Sequence, residues 1–240
     1  MTETPKREDL ADATARLQPT IDALSDTEIA GPSLLPGWTR AHLLTHLARN
    51  ADAMRNFLLA ARSGTHVPMY ASRPMRDADI DTGSRRPPEL IRLDAEAAAS
   101  RLALDLGLVE RDPDGAALWS APVMFASGAA DGPVVTLADT VWFRLREVEI
   151  HHVDLDAGYT FARTPTDLAV ALTDDIVRRL GSTDLAVELA DDEGRTWSLG
   201  DSGPTVRGSL PELLAWLLGR DRGGSLRVEE GALPTVPSAG

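Results

Sequence analysis

The chain contains no cysteine, which excludes a disulfide framework, a thiolate metal site and a cysteine nucleophile. It also lacks any apolar run approaching the roughly 18 residues of a membrane-spanning helix, and its opening stretch, MTETPKREDLADATARL, has no apolar segment of signal-peptide length. The expectation is a cytoplasmic protein without a membrane partner. Positive charge is scarce. Lys+Arg number 24 against 37 Asp+Glu, a formal net charge of -13, which repels phosphate backbones and anionic lipid and argues against a nucleic-acid partner. What is present is ordinary globular composition: 240 residues, 43% hydrophobic and 25% charged, long enough to bury a core without covalent staples. Thiol chemistry, if any occurs, must use a thiol that arrives as a small molecule.

Helical periodicity dominates the first two thirds. Leu10, Ala13, Leu17, Ile21 and Leu24 predict an amphipathic helix over residues 7–24, with Pro19 inside it. After a loop, SDTEIAGPSLLPGW, a second helix is expected from Thr39, a good N-cap, to Ser63, with Leu43, Leu47, Met54 and Leu58 near one stripe and Gly64 as its stop. The polar stretch VPMYASRPMRDADIDTGSRRPP reads as a long connection, of a length usually kept for function. A third helix spans about Pro88–Leu106, with Leu90, Leu93, Ala97, Leu102 and Leu106 as inward candidates. DPDGAALWSAPVMFASGAADGP is rich in turn residues. The fourth helix carries Val134, Leu137, Val141, Val148 and Leu155 at helical spacing, interrupted by Arg144 and His151.

Four long helices with uneven connections predict a four-helix bundle. Beyond Gly158–Thr166 the pattern changes to a helix (LAVALTDDIVRRLG), strands (LAVELA, RTWSLG, PTVRG), a helix capped by Ser209 (SLPELLAWLLGR) and a last strand (SLRVEE). The fold class expected is α+β, with a bundle over 1–160 and a smaller α+β domain over 161–240.

Histidine and carboxylate are the metal ligands on offer. Glu147 and His151, four residues apart in REVEIHHVD, project from neighbouring turns of one helix face, a geometry that suits two ligands of one divalent ion. Glu149 and His152 form a competing pair on the other shoulder of the stripe, and periodicity does not choose between the pairs. An exposed ion-pair patch with one partly buried histidine fits the spacing as well. His46 leans inward beside Leu43 and Leu47, where a hydrogen-bonded core histidine is the plainer assignment. If the second and fourth helices are neighbours, however, His46, Glu147 and His151 make a His2Glu set with an open fourth position, as catalytic zinc sites have. His42, one turn earlier, is an alternative to His46. His66 falls in the loop beyond the helix and is expected to be exposed.

LLPGWTRAHLLTHLARNADAM resembles the first ligand segment of the DinB-like metal-binding bundles, and RLREVEIHHVDLDAG resembles the Arg-x-x-Glu-x-x-x-His-x-x-Asp-Leu segment of their mycothiol-dependent branch. With VPMYASRPMRDADIDTGS and the Arg220 that closes SLPELLAWLLGR, the whole chain is similar to the mycothiol-dependent maleylpyruvate isomerase family. The resemblance implies Zn2+ on His46, Glu147 and His151, leaves Glu149 and His152 as flank residues, and points to Arg76 and Arg220 near the substrate. Arg73, Arg85 and Arg86 surround Arg76 in sequence as alternatives. It implies mycothiol as external thiol cosubstrate, a dianionic keto-acid substrate and a place in gentisate breakdown; a monomer is expected. Because Arg220 falls in the tail domain and Arg76 in the bundle, the expected active site lies in a cleft between domains, where arginines must locally reverse the charge of -13. Two alternatives share the scaffold: a mycothiol-dependent S-transferase, and a non-enzymatic metal- or ligand-binding module.

Overall fold

The computed structural model describes residues 7–125 and 132–237. The N-terminal stretch 1–6, the centre of the turn-rich segment at 126–131 and the end of the tail at 238–240 lie outside the described residues. The chain divides into two compact units, with the division between Ala157 and Gly158.

The first unit contains α1 (Arg7–Ala23), α2 (Asp26–Ala30), α3 (Arg40–Ser63), α4 (Arg73–Gly83), α5 (Pro88–Glu110), α6 (Gly115–Trp119), β1 (Pro122–Met124), β2 (Val134–Thr136) and α7 (Leu137–Asp154). Its long helices form a ring in which α3 packs on α5 and α7, and α1 packs on α7 and α5. This is the bundle that the apolar periods predict. Leu43, Leu47, Met54 and Leu58 of α3 are buried in it, as are Leu137, Val141, Leu145 and Val148 of α7. Phe57 is fully buried and stacks on Phe125, with ring centroids 5.7 Å apart. Phe57→Ala is expected to cost about 3–5 kcal/mol, read as a lower urea midpoint at unchanged slope. A loss under about 1 kcal/mol would mean that the bundle closes over the gap.

Local signals place the helix ends. The Thr39 side chain accepts from the His42 backbone amide, while His42 Nδ1 accepts from the Thr39 backbone N–H at 3.2 Å. His42 thus takes the part usually played by Glu or Gln in a capping box. Gly64, at φ +64°, stops α3 in the left-handed conformation that glycine adopts without strain. Thr136 and Asp139 build a capping box at the start of α7.

Three expectations are corrected. The stretch after His66 contains a helix, α4, capped by Ser72 with Pro74 in its first turn, and it packs on α3. It is polar because its inward face is slight, with only Ile80 and Gly83 buried. A Cβ at Gly83 would meet Thr45 Cγ2 at 2.5 Å, so the missing side chain lets α4 sit close against α3. In α5 the inward set begins with Ile91, Ala95 and Ala98, whereas Leu90 and Leu93 face solvent and Ala97 is exposed. Choosing leucines over isoleucine and alanine shifts the register by one or two residues in the first half of the helix. Val134 belongs to β2, paired with β1, and is exposed rather than part of the helix core.

The second unit holds a 3-10 turn (Phe161–Arg163), α8 (Thr166–Leu180), β3 (Val187–Asp191), β4 (Thr196–Leu199), β5 (Thr205–Gly208), α9 (Leu210–Leu217) and β6 (Arg227–Glu229). The sheet order is β4-β3-β5-β6, with β3 and β5 parallel and the outer pairings antiparallel. α8 packs on α9 and β4, and α9 on β3 and β5. Ser209 caps α9 as predicted, and Glu212 completes a capping box with it. The chain is α+β.

Candidate metal centre

The packing of α7 against α3 brings the two halves of the sequence motif together. His46 Nε2 lies 2.8 Å from Glu147 Oε2, and His151 Nε2 lies 3.4 Å from the same oxygen. One ligand atom from each residue falls within 4.8 Å of the others. Tetrahedral ligands at bond lengths near 2.0–2.1 Å stand about 3.3 Å apart, so this donor set fits one divalent ion with little movement. Two imidazoles and a carboxylate are borderline-hard donors suited to zinc. The set leaves the fourth tetrahedral position open.

Electrostatics binds the three groups to one another. Burial works against a charge on Glu147, yet hydrogen bonds from His151 and His46 hold its carboxyl well below the ordinary value. Burial pushes His46 down to about 4, against the opposing pull of Glu147. His151 is raised to about 9: burial opposes its charge, but Asp154 and Glu147 together outweigh that. The fully buried Asp154 accepts from His151 Nδ1 at 2.8 Å, leaving Nε2 aimed at the ligand cluster. A carboxylate behind a histidine is how metal-binding imidazoles are usually held in one tautomer.

Arg76, from α4, joins the site. Its NH2 lies 3.2 Å from His46 Nδ1, its NH1 pairs with Asp77 at 2.7 Å, and its guanidinium carbon stands 5.7 Å from the Tyr70 ring centroid. A neutral imidazole that gives its Nε2 lone pair to a metal must carry its proton on Nδ1. Arg76 then has no acceptor on His46, and its NH2 is released for an anion while NH1 stays paired with Asp77. Trp38 meets His46 edge-on at 5.6 Å and stacks on His42 at 6.1 Å, walling the ligands from the α2–α3 side.

Several expected residues lie elsewhere. His42 is held in the α3 cap with its Nε2 4.0 Å from Asp81, so it does not replace His46. His66 is exposed, as expected. Arg85 pairs with Asp81 at 2.7 Å and Arg86 with Asp94 at 2.6 Å, while Arg73 is exposed; of the four arginines in this stretch, Arg76 is the one that reaches a ligand. Glu149 and His152 flank the ligand cluster and do not join it. Both are buried against α1, where Glu149 accepts from Arg16 at 3.0 Å and His152 Nε2 lies 2.7 Å from the Thr20 hydroxyl. Arg220 belongs to the second unit, just beyond α9, where its backbone N–H donates to Ala215 at 2.8 Å and its side chain donates to the Leu218 carbonyl.

The family segment includes Arg144 and Asp154 without giving either a task, the apolar period makes Arg144 an interruption, and nothing in the sequence assigns a role to Tyr70 or Trp38. Asp154 was detectable from its spacing, three residues after His151. Arg144 is buried because it donates to Leu47 O at 2.9 Å and Asn50 Oδ1 at 2.8 Å, tying α7 to α3 beside the ligands.

Fold and site together define a two-part α+β protein whose helical bundle carries a candidate His–Glu–His metal centre. The chain belongs to the mycothiol maleylpyruvate isomerase N-terminal domain family, which matches residues 10–156. Among solved structures, it is similar to the mycothiol-dependent maleylpyruvate isomerase, with TM-score 0.86 and 30% identity over 97% of this chain and 95% of that one. A histidine-to-alanine mutant of that enzyme gives the same values. Comparison with curated proteins gives no significant match.

Proposed function

We propose that the protein is a mycothiol-dependent maleylpyruvate isomerase in which His46, Glu147 and His151 hold a zinc ion and Arg76 and Arg220 bind the substrate's carboxylates. The observation that carries the reading is the donor set itself, with an arginine 3.2 Å from one of its histidines, in a chain of this family.

Conversion of maleylpyruvate to fumarylpyruvate requires rotation about a cis carbon–carbon double bond. A thiolate adds to the conjugated alkene, the displaced electron pair moves toward the carbonyl, the resulting single bond rotates, and the sulfur leaves with the pair returning to form the trans alkene. No atom is gained or lost. Zinc, when bound, supplies the Lewis acidity that lowers the pKa of a thiol at the open position.

The chain's own residues supply the remainder. Asp154 fixes the orientation of His151, and Trp38 and α4 border His46. Arg76, freed from His46, offers its NH2 to a carboxylate and stays charged throughout. Arg220 is assigned to the second carboxylate. With no cysteine present, no protein thiol competes for the metal or is alkylated by substrate. The same reading places the enzyme in gentisate breakdown in a cytoplasm that contains mycothiol.

The test combines purified protein, zinc and mycothiol with maleylpyruvate. Trans product should appear only when both zinc and thiol are present, and no turnover with any thiol would overturn the reading. A stable sulfur conjugate in place of the trans acid would identify the S-transferase instead. Arg220→Met should raise the KM for maleylpyruvate about tenfold, the worth of one charge-assisted contact. An unchanged KM removes Arg220 from the site.

A further inference from the structure

A trough of about 620 Å³ runs along the bundle unit, floored by α3 and walled by the Met69–Ala71 segment, α4 and α5. Its lining on α3 extends from Arg49 to Arg62, which at the helical rise is about 20 Å. At one end stand Tyr70 and Arg76, and Arg76 is the residue that touches His46. The trough therefore begins beside the metal ligands and leads away from them. Its volume lies in the range of sites that enclose a medium-sized organic ligand.

The lining determines which kind of ligand fits. Four arginines and three aspartates line it, so its charge is nearly balanced. Along α3 the arginines are also already matched: Arg49 pairs with Asp52 at 2.9 Å, Arg55 with Asp105 at 2.6 Å and Arg62 with Asp112 at 3.6 Å, whereas Arg76, at the end beside His46, shares its guanidinium between Asp77 and His46 Nδ1. A dianion gains little where each cation has its carboxylate. A neutral ligand rich in hydroxyls gains much, because each ion pair offers it a strong donor and a strong acceptor side by side. Leu59 and Leu108, 55% and 52% exposed, contribute apolar surface to the same trough, suited to the C–H faces of a sugar ring. Among the described residues, the buried Tyr70 hydroxyl has no partner in hydrogen-bond geometry, although Arg76 and Asn50 lie near it. Such an orphaned hydroxyl at the mouth is poised for a ligand's polar group.

We infer that this trough is the binding site for the polyhydroxylated body of the thiol cosubstrate, with the thiol end directed past Tyr70 and Arg76 toward His46, Glu147 and His151. The inference rests on the proposed thiol-dependent function. It separates the two reactants: the neutral glycosidic body lies along α3, and the dianion is left to the arginine released beside the metal.

Leu59→Trp fills the trough with a ring, and Arg55→Ala removes one donor of a half-buried ion pair; neither position is in the core. In each variant the KM for mycothiol should rise about tenfold or more, while the KM for maleylpyruvate shifts less than about twofold. The preference for mycothiol over N-acetylcysteine, which lacks the sugar body, should fall by the same factor. A rise confined to the KM for maleylpyruvate would make the trough a substrate site, and no change in either constant would leave it without a ligand role; both outcomes overturn the inference. A second measurement is independent of turnover. Glucosaminyl-inositol, the mycothiol body without its cysteine, should bind the protein in calorimetry and lose that binding in Leu59→Trp. If the wild-type protein does not isomerise maleylpyruvate yet binds this probe, the functional reading fails and the trough assignment stands. Activity with mycothiol but no binding of the probe, together with unchanged KM values in the variants, has the opposite meaning.

Discussion

His151→Ala is expected to lose stoichiometric zinc and to lower isomerisation by at least about a thousandfold at neutral pH. A free thiol with a pKa near 8.5 is only about 3% ionised at pH 7, so loss of the metal costs roughly thirtyfold in thiolate alone. Loss of a fixed sulfur position beside the alkene costs more than this, since ordering two reactants is worth several further kcal/mol. The pH dependence carries the sign. Residual turnover in the variant follows the thiolate of the free cosubstrate, rising about tenfold per pH unit up to about 8.5, whereas a thiol already ionised in the intact site gives a flatter profile. Zinc content by elemental analysis gives the readout apart from activity. Wild-type protein should also gain about 2.7 kcal/mol of stability at a hundredfold excess of zinc over its Kd, and the variant much less. Full zinc content in the variant would exclude His151 as a ligand.

The legible part of this fold is the part governed by local period. The second helix could be read from Thr39 to Gly64 because both caps and the Leu43–Leu58 stripe are written in sequence, and the structure places α3 at Arg40–Ser63. α4 was not legible, because a short helix whose inward face is little more than Ile80 and a glycine leaves no apolar period. The two shoulders of α7 show a different limit. Its period marks Glu147 and His151 on one side and Glu149 and His152 on the other, but not which neighbour covers each. α3 brings His46 to the first pair, while α1 brings Arg16 and Thr20 to the second. Both pairs therefore look alike in sequence, and one becomes part of a candidate metal site while the other becomes a buried polar seam. Arg144 looked like a defect in the stripe for the same reason: its acceptors, Leu47 O and Asn50 Oδ1, lie about a hundred residues away and cannot be seen from α7.

Asp154 shows how much of the site lies behind its ligands. Its carboxylate is fully buried at the end of α7, bonded to His151 Nδ1 at 2.8 Å, while its backbone carbonyl accepts from Leu34 at 2.9 Å and so anchors the loop before α3. Asp154→Asn keeps the shape and an acceptor for His151 but removes the charge that makes the imidazole a better donor to a metal. Weakening such outer partners typically costs 10–100-fold in metal affinity, so zinc Kd should rise about tenfold in Asp154→Asn and about a hundredfold in Asp154→Ala, where the histidine also loses its anchor. Competition with a chelator of known affinity measures both. The graded order distinguishes positioning from general damage: a purely structural role predicts that both variants lose melting temperature while zinc affinity, measured on the folded fraction, stays constant. At saturating zinc, Asp154→Asn should recover most of its turnover, because His46, Glu147 and His151 are all still present to complete the centre.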